Sequence, residues 1–102
     1  MNAQLPADYL EYLEDGADAA TTEGAPGYFQ LWPPADLEEM NRGYQVAAYA
    51  PGFVGFGSDG GGEMLAFDRA GAVFLIPFVG MAAKEAKKIA SSWSEIADRI
   101  TE

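Results

Sequence analysis

The stretch GFGSDGGGEMLAFD, residues 55–68, combines two residue types that recur in ligand-binding loops. It contains five glycines and three acids, Asp59, Glu63 and Asp68. Glycine-rich loops can cradle phosphates with backbone N–H groups, and acidic loops supply the oxygen ligands that hard cations prefer. The stretch therefore raises three candidate chemistries, which are phosphate binding, cation binding and acid–base catalysis by paired carboxylates.

Phosphate binding does not fit the residues that follow the glycines. A phosphate-binding loop needs a lysine and a Ser or Thr after its last glycine, and then a helix. A dinucleotide fingerprint also needs a helix after its glycines. Here Gly62 is followed by Glu63 and by the strand-like residues MLAF, and two carboxylates beside the loop would repel a phosphate.

Cation binding and catalysis are also disfavoured. Glu63 and Asp68 are five positions apart on a predicted strand, so their side chains point to opposite faces. The chain contains no histidine and no cysteine, which removes the usual general base, the thiol nucleophile and the common zinc ligands. Serine nucleophiles with a lysine base stay formally open. We expect no enzyme activity, no metal and no cofactor.

A tight turn is the interpretation that remains for the glycines. Asp59-Gly60 is a strong hairpin signal, because glycine tolerates positive φ and the Asp side chain bonds nearby backbone. We predict that Gly57, Gly60, Gly61 and Gly62 shape this turn, and that Gly61 adopts a backbone conformation closed to β-branched residues. The backbone N–H groups of such a turn lie near the surface, where a partner could use them.

Three short helices are predicted around the turn. The first covers residues 5–16, with Pro6 at its start, Gly16 at its end and an apolar face that includes Tyr9. Pro34 begins a second helix, which ends at Asn41 or Gly43. Ser92 and Glu95 are spaced as a capping box, which predicts a third helix from about Trp93.

The strands are predicted from runs of aromatic and β-branched residues. These runs cover residues 28–32, 44–50, 53–57, 63–68 and 72–80. The last three are joined by short connections, which indicates an antiparallel meander. Residues 17–27 lack periodicity and are expected to form a loop. Residues 82–91 fit a helical turn, an extended segment or a loop equally well.

Length and composition indicate a single soluble domain. The chain has 102 residues, of which 49% are apolar, and this is enough for one compact core. No window approaches the roughly 18 uninterrupted apolar residues of a membrane span. The N-terminus lacks the basic and apolar regions of a signal peptide. We therefore expect a cytoplasmic protein.

Charge is the strongest compositional feature. The chain contains sixteen acids and six bases, which gives a net charge of −10. Residues 1–40 hold nine of the acids and no base. Nucleic acids and anionic membranes both require Lys and Arg, so neither is an expected partner. A basic protein partner fits this charge, because complementary fields speed encounter. The alternative is that the acidity only keeps the protein soluble.

Four segments together resemble the SUKH superfamily, also called Smi/Knr-like. They are LPADYLEYL, YFQLWPPADLEEMNRGY, FGSDGGGEMLAFD and IASSWSEI, in this order from Leu5 to about Ile100. The glycine-acid segment from Gly57 to Glu63 is the most specific of the four. The resemblance implies a single α+β domain over residues 1–102, with a mostly antiparallel sheet of four to five strands flanked by short helices. It also implies that the KKIAS segment is extended. The chain departs from the family pattern at its N-terminus, where only four residues precede Leu5, so we expect the extra N-terminal helix usual in the family to be lacking.

The resemblance also implies a function. Bacterial members are associated with immunity proteins that bind and block a toxin domain, often a nuclease, and other members are regulators or scaffolds. We therefore predict a non-catalytic domain that binds a basic toxin domain, with a regulatory or scaffold role and a small-ligand or metal sensor as alternatives. Homodimer formation through a sheet edge is also possible. The candidate partner-binding residues are Asp15, Asp18, Asp36, Glu38, Glu39, Asp59 and Glu63, while Tyr28 and Trp32 are either interface or core residues.

Overall fold

A six-stranded antiparallel sheet forms the centre of the protein. The computed structural model describes residues 5–14, 16 and 18–101. The strands follow one another in the sheet in chain order, as β1 (Ala19–Thr21), β2 (Tyr28–Leu31), β3 (Val54–Ser58), β4 (Glu63–Phe67), β5 (Val73–Pro77) and β6 (Lys87–Ala90). The helices are α1 (Ala7–Leu13), α2 (Leu37–Gly43), α3 (Val46–Tyr49) and α4 (Trp93–Ala97), with 3-10 turns at Pro34–Asp36 and Ala83–Glu85. The predicted α+β class and antiparallel sheet are confirmed, with one strand more than the upper limit expected.

The additional strands lie at the two edges of the sheet. The segment KKIAS is extended, as the family resemblance implied, because β6 pairs with β5. The prediction of a loop over residues 17–27 is wrong at β1, which pairs with β2. Its Ala-Thr sequence has no strand periodicity, so tertiary pairing decides its conformation. The C-terminal segment reinforces this edge, since the Thr101 N–H donates to the Thr21 carbonyl at 2.9 Å and Thr22 bridges Ile100.

Residues 44–50 are not a strand, contrary to the prediction. Gln45 has a left-handed backbone with φ of 57°, and the short helix α3 begins after it. Val46 and Ala50 are buried whereas Ala48 is exposed, so the apolar spacing is four residues and not two. Two alanines in the middle of the segment also favour a helix over a strand.

One face of the sheet is closed by an aromatic cluster beneath α1 and α4. The Tyr9 ring lies 4.9 Å from the rings of Phe56 and Trp93 and 5.3 Å from that of Phe67, in edge-to-face geometry. Such pairs add roughly 0.5–1.5 kcal/mol each to the hydrophobic term. Phe29 joins the cluster from β2, at 6.0 Å from Trp93. The burial of Tyr9 predicted from the sequence is therefore confirmed.

Side-chain caps fix α4 over this cluster. The Ser92 hydroxyl accepts a hydrogen bond from the Glu95 N–H at 3.3 Å, which confirms the predicted cap. The Glu95 carboxylate accepts from the N–H of Ser91, one residue earlier than a standard capping box requires. The Asp8 carboxylate accepts from the Ser94 N–H at 3.0 Å, so α1 contributes directly to the start of α4.

The Tyr9 hydroxyl is buried without a hydrogen-bond partner in the part of the chain that the structure describes. Burial raises the pKa of Tyr9 well above its ordinary value of 10.0, with a smaller contribution from Tyr12. The folded state therefore holds Tyr9 neutral at pH values where the unfolded chain ionises it. As a result, the free energy of unfolding should fall as the pH rises above about 10.

Tyr9→Phe keeps the ring contacts and removes the unsatisfied hydroxyl. We expect the free energy of unfolding at neutral pH to stay constant or to rise by about 1 kcal/mol. The variant should also lose less stability than the wild type above the ordinary tyrosine pKa. Urea denaturation at both pH values measures this, with Tyr49→Phe as the exposed control. A clear loss of stability in Tyr9→Phe at neutral pH would contradict the unsatisfied state of the hydroxyl.

Candidate functional site

The turn between β3 and β4 is closed by the side chain of Asp59. Its Oδ1 accepts hydrogen bonds from the N–H groups of Gly61 at 2.7 Å and Glu63 at 3.1 Å. The Asp59 N–H donates to the Glu63 carbonyl at 3.0 Å. Gly60 and Gly62 have φ angles of 77° and 100°, which L side chains rarely adopt. The Asp59 carboxylate therefore stabilises the turn by accepting hydrogen bonds from the backbone of the turn itself.

The turn between β4 and β5 is closed in the same way. Oδ1 of Asp68 accepts from the N–H groups of Ala70 and Ala72, both at 2.9 Å. The Asp68 N–H donates to the Ala72 carbonyl at 3.1 Å, and Gly71 has a φ of 87°. Because two successive hairpins share this arrangement, the hydrogen bonds of the glycine turn are a device for reversing the chain. They do not by themselves indicate a ligand.

The four glycines predicted to shape the turn have different environments. Gly61 lacks a positive φ, and an added Cβ would lie at an ordinary 3.5 Å from Asp59 Oδ1. The prediction that Gly61 adopts a backbone conformation closed to β-branched residues is therefore wrong. The positive φ angles that disfavour side chains belong to Gly60 and Gly62. Gly57 lies within β3, where an added Cβ would clash with the carbonyl oxygen of Gln30 on β2.

Gly62→Ala and Gly61→Ala form a matched pair that separates turn geometry from side-chain bulk. We expect Gly62→Ala to lower the free energy of unfolding by about 1–3 kcal/mol, because its positive φ disfavours any Cβ. Gly61→Ala should change stability by less than about 0.5 kcal/mol. Urea denaturation of both variants gives the comparison. Equal stabilities would show that the φ of Gly62 is not a constraint on the fold.

The amide of Asn41 occupies the edge of β3 that β2 does not reach. β2 pairs with β3 at Ser58 and Gly57, and the Trp32 N–H donates to the Phe56 carbonyl. At Gly55 the partner is Asn41, whose Nδ2 donates to the Gly55 carbonyl at 2.9 Å and whose Oδ1 accepts from the Gly55 N–H at 2.7 Å.

This buried amide fixes α2 against the sheet. Asn41 is only 4% exposed, and its Nδ2 also donates to the Leu37 carbonyl at 2.8 Å. Gly55 has no side chain, and a Cβ there would lie 2.5 Å from the sulfur of Met64 and 3.0 Å from the ring of Trp32. Glycine at this position therefore makes room for both neighbours.

Asn41→Ala leaves the N–H and C=O of Gly55 buried without their partner. We expect the free energy of unfolding to fall by about 2–4 kcal/mol, since each unsatisfied group costs roughly 1–3 kcal/mol. Arg42→Ala on the same helix is the control, because its exposed contact with Glu38 contributes little. Chemical denaturation measures both changes. A midpoint for Asn41→Ala equal to that of Arg42→Ala would contradict the role given to the amide.

The predicted partner-binding acids lie on three different elements. Asp36, Glu38 and Glu39 are exposed where the 3-10 turn meets α2, and Glu38 lies 3.7 Å from Arg42. Asp18 is exposed immediately before β1. Asp59 and Glu63 are half-buried at the glycine turn. Asp15 lies outside the described residues.

A group of partly exposed rings borders the glycine turn, and sequence reasoning missed most of it. Trp32 is buried, and the Tyr44 ring stacks on it with centroids 5.7 Å apart. Phe78 lies 4.7 Å from Tyr44, and its N–H donates to the Gly62 carbonyl at 3.0 Å. Tyr28 is exposed and its ring lies beside Gly60. These residues are far apart in the sequence, so the sequence alone did not predict that they would be in contact.

The described residues contain no group of three His, Cys, Asp or Glu side chains placed to hold a metal ion. In the same part of the chain, every helix is too short or too polar to cross a bilayer. The arrangement that the structure does offer is an acidic surface with exposed rings beside a rigid turn.

Comparison with known proteins agrees with the resemblance seen in the sequence. No curated protein matches the chain. The model of the SMI1 / KNR4 family (SUKH-1) matches residues 1–99. Because that match covers nearly all 102 residues, the chain belongs to the SMI1 / KNR4 family.

Proposed function

We propose that this member of the SMI1 / KNR4 family is a non-catalytic, cytoplasmic immunity protein that binds and neutralises a toxin domain. The toxin would be basic and of the nuclease type. The single observation that carries this proposal is charge, because the chain has a net charge of −10 and most of its described acids are exposed. A nuclease must attract phosphates, so its active face is positively charged and complementary to such a surface.

The first 40 residues hold nine acids and no base. Seven of the described ones are exposed, namely Glu11, Glu14, Asp18, Glu23, Asp36, Glu38 and Glu39. The first base in the chain is Arg42, which lies 3.7 Å from Glu38. A protein with this distribution attracts a basic partner over several ångströms in physiological salt, which raises the rate of encounter.

The polar groups of the interior support binding over catalysis. The side chain of the buried Asn41 donates to the backbone carbonyls of Leu37 and Gly55. The hydroxyl of the buried Thr22 donates to those of Gly24 and Gly27. The turn carboxylates of Asp59 and Asp68 accept from backbone N–H groups. These hydrogen bonds maintain the fold, and Asp68 in addition lines an open surface pocket with Phe53 and Arg69.

Capture followed by a growth assay tests the proposal. The tagged protein is incubated with lysate of its own source organism at low salt, washed, and eluted with high salt. The eluted proteins are identified by mass spectrometry and expressed alone or together with this chain. We expect a basic domain that arrests growth alone and becomes harmless when co-expressed. Recovery only of partners that are harmless alone would contradict immunity and favour a regulatory or scaffold role.

Charge reversal tests which acids guide the partner. We expect the double variant Asp36→Lys/Glu39→Lys to lower the association rate with the salt-eluted toxin about tenfold at low salt, with a smaller difference at high salt. Stopped-flow or surface plasmon resonance gives the rates. Glu11→Lys/Glu14→Lys at the C-terminal end of α1 is the matched control, with the same change in net charge. Equal rates for both double variants would exclude the start of α2 as the region that steers the partner.

A further inference from the structure

We infer that the partner docks on the ring surface, defined here as Tyr28, Tyr44, Gly60, Phe78 and Val79, through a loop that presents arginine. This inference rests on the proposed function and adds the docking surface and the chemistry of the contacting residue. Tyr28 was an interface candidate from the sequence, whereas Tyr44, Phe78 and Val79 were not.

The ring surface is continuous across the glycine-turn end of the sheet. The ring of Tyr28 lies against Gly60, which occupies the turn. At the other side of the turn, the Gly62 carbonyl accepts from the N–H of Phe78. The Phe78 ring then contacts that of Tyr44 at 4.7 Å. Residues from β2, α2 and the end of β5 are thus joined through a turn that has no side chains of its own from Gly60 to Gly62.

The side chains of the ring surface expose large apolar groups to solvent. Tyr28 is 47% exposed, Tyr44 43% and Val79 91%. Tyrosines supply large contact area at low cost in side-chain entropy and are enriched among residues that dominate binding energy. Val79 follows Phe78 directly and is the most exposed large apolar residue of the described chain. Three such groups around one turn exceed what isolated surface hydrophobes explain.

The rings are held in place before any partner arrives. Tyr44 stacks on the buried Trp32 with an angle of 14° between the ring planes. Phe78 is fixed by its backbone hydrogen bond to Gly62, and the turn is closed by Asp59. A surface that is already ordered loses little conformational entropy on binding. The Tyr44 and Phe78 rings are therefore already positioned for binding.

Charge complementarity selects a cationic occupant. The turn that joins the rings carries two carboxylates, Asp59 and Glu63, and no base. Arginine satisfies both parts of this surface, because its guanidinium stacks on aromatic faces and pairs with carboxylates. The nearest bases in sequence are Arg42, which lies beside Glu38, and Lys84, five residues after Val79.

The first test is an NMR titration with a peptide of alternating arginine and glycine. Backbone amide and aromatic ring signals of the isotope-labelled full chain are followed at low and moderate salt. We expect the largest shifts at Tyr28, Tyr44, Gly60, Phe78 and Val79, and smaller ones from a matched lysine–glycine peptide. Shifts concentrated on α1 and the start of α2, or spread evenly over the exposed acids, would overturn the inference.

A pair of equal charge changes tests the same surface without disturbing the core. Val79→Lys and Leu10→Lys each replace an exposed apolar residue by a base, on the ring surface and on α1 respectively. We expect Val79→Lys to weaken binding of the arginine–glycine peptide at least fivefold and Leu10→Lys by less than twofold. A second pair, Tyr28→Ala and Tyr49→Ala, compares exposed tyrosines on and off the surface, with only the first weakening binding. Equal effects within either pair would overturn the inference.

The growth assay separates this inference from the proposed function. If a toxin is recovered, Val79→Lys should lose neutralisation while Leu10→Lys retains it, and the opposite pattern overturns the ring surface alone. If no captured protein is toxic but the peptide still maps to the ring surface, the immunity proposal fails. In that case the arginine-binding surface stands by itself.

Discussion

The pairing between Asn41 and Gly55 is the constraint on which the rest of the molecule depends. β3 lies in the middle of the sheet, yet β2 leaves its edge before Gly55. Without a neighbouring strand, the N–H and C=O of Gly55 would be buried under α2 with no hydrogen-bond partner. The Asn41 amide supplies the hydrogen bonds that the strand would have made. Because the helix is fixed at this point, Tyr44 at its end is brought over Trp32.

The two faces of the sheet use aromatic residues in different ways. Beneath α1 and α4 the rings of Tyr9, Phe56, Phe67 and Trp93 pack edge to face or stacked and are fully buried. On the side of α2, the ring group around Trp32 is buried at one end and open at the other. The first arrangement supplies stability, and the second leaves apolar surface that a partner could cover.

The sequence predicted the elements whose signals are local. The meander of β3, β4 and β5 follows from short connections between apolar runs, and the cap of α4 follows from the spacing of Ser92 and Glu95. The 3-10 turn that leads into α2 was likewise marked by Pro34. These features depend on residues a few positions apart, so pattern and propensity suffice for them.

Features that depend on distant residues were missed or misassigned. β1 exists because of its pairing with β2 and with the C-terminal segment, and nothing in its Ala-Thr sequence favours a strand. The spacing of Val46 and Ala48 imitated a strand where a left-handed residue and a helix occur. The sequence indicated Asn41 only as a possible end of α2. Nothing in the sequence predicted its hydrogen bonds to Gly55, 14 residues further along the chain. The same holds for the ring surface, whose members come together only after folding.

Hydrogen–deuterium exchange of the chain, free and bound to the salt-eluted basic partner, shows where the partner docks. We expect binding to protect backbone amides at Tyr28, in residues 59–62 and in residues 78–80, while protection in α4 is unchanged. Protection confined to the outer edge at β6, with no change around the glycine turn, would contradict this expectation. That result would move the docking surface to the opposite end of the chain and remove the role given to the rings.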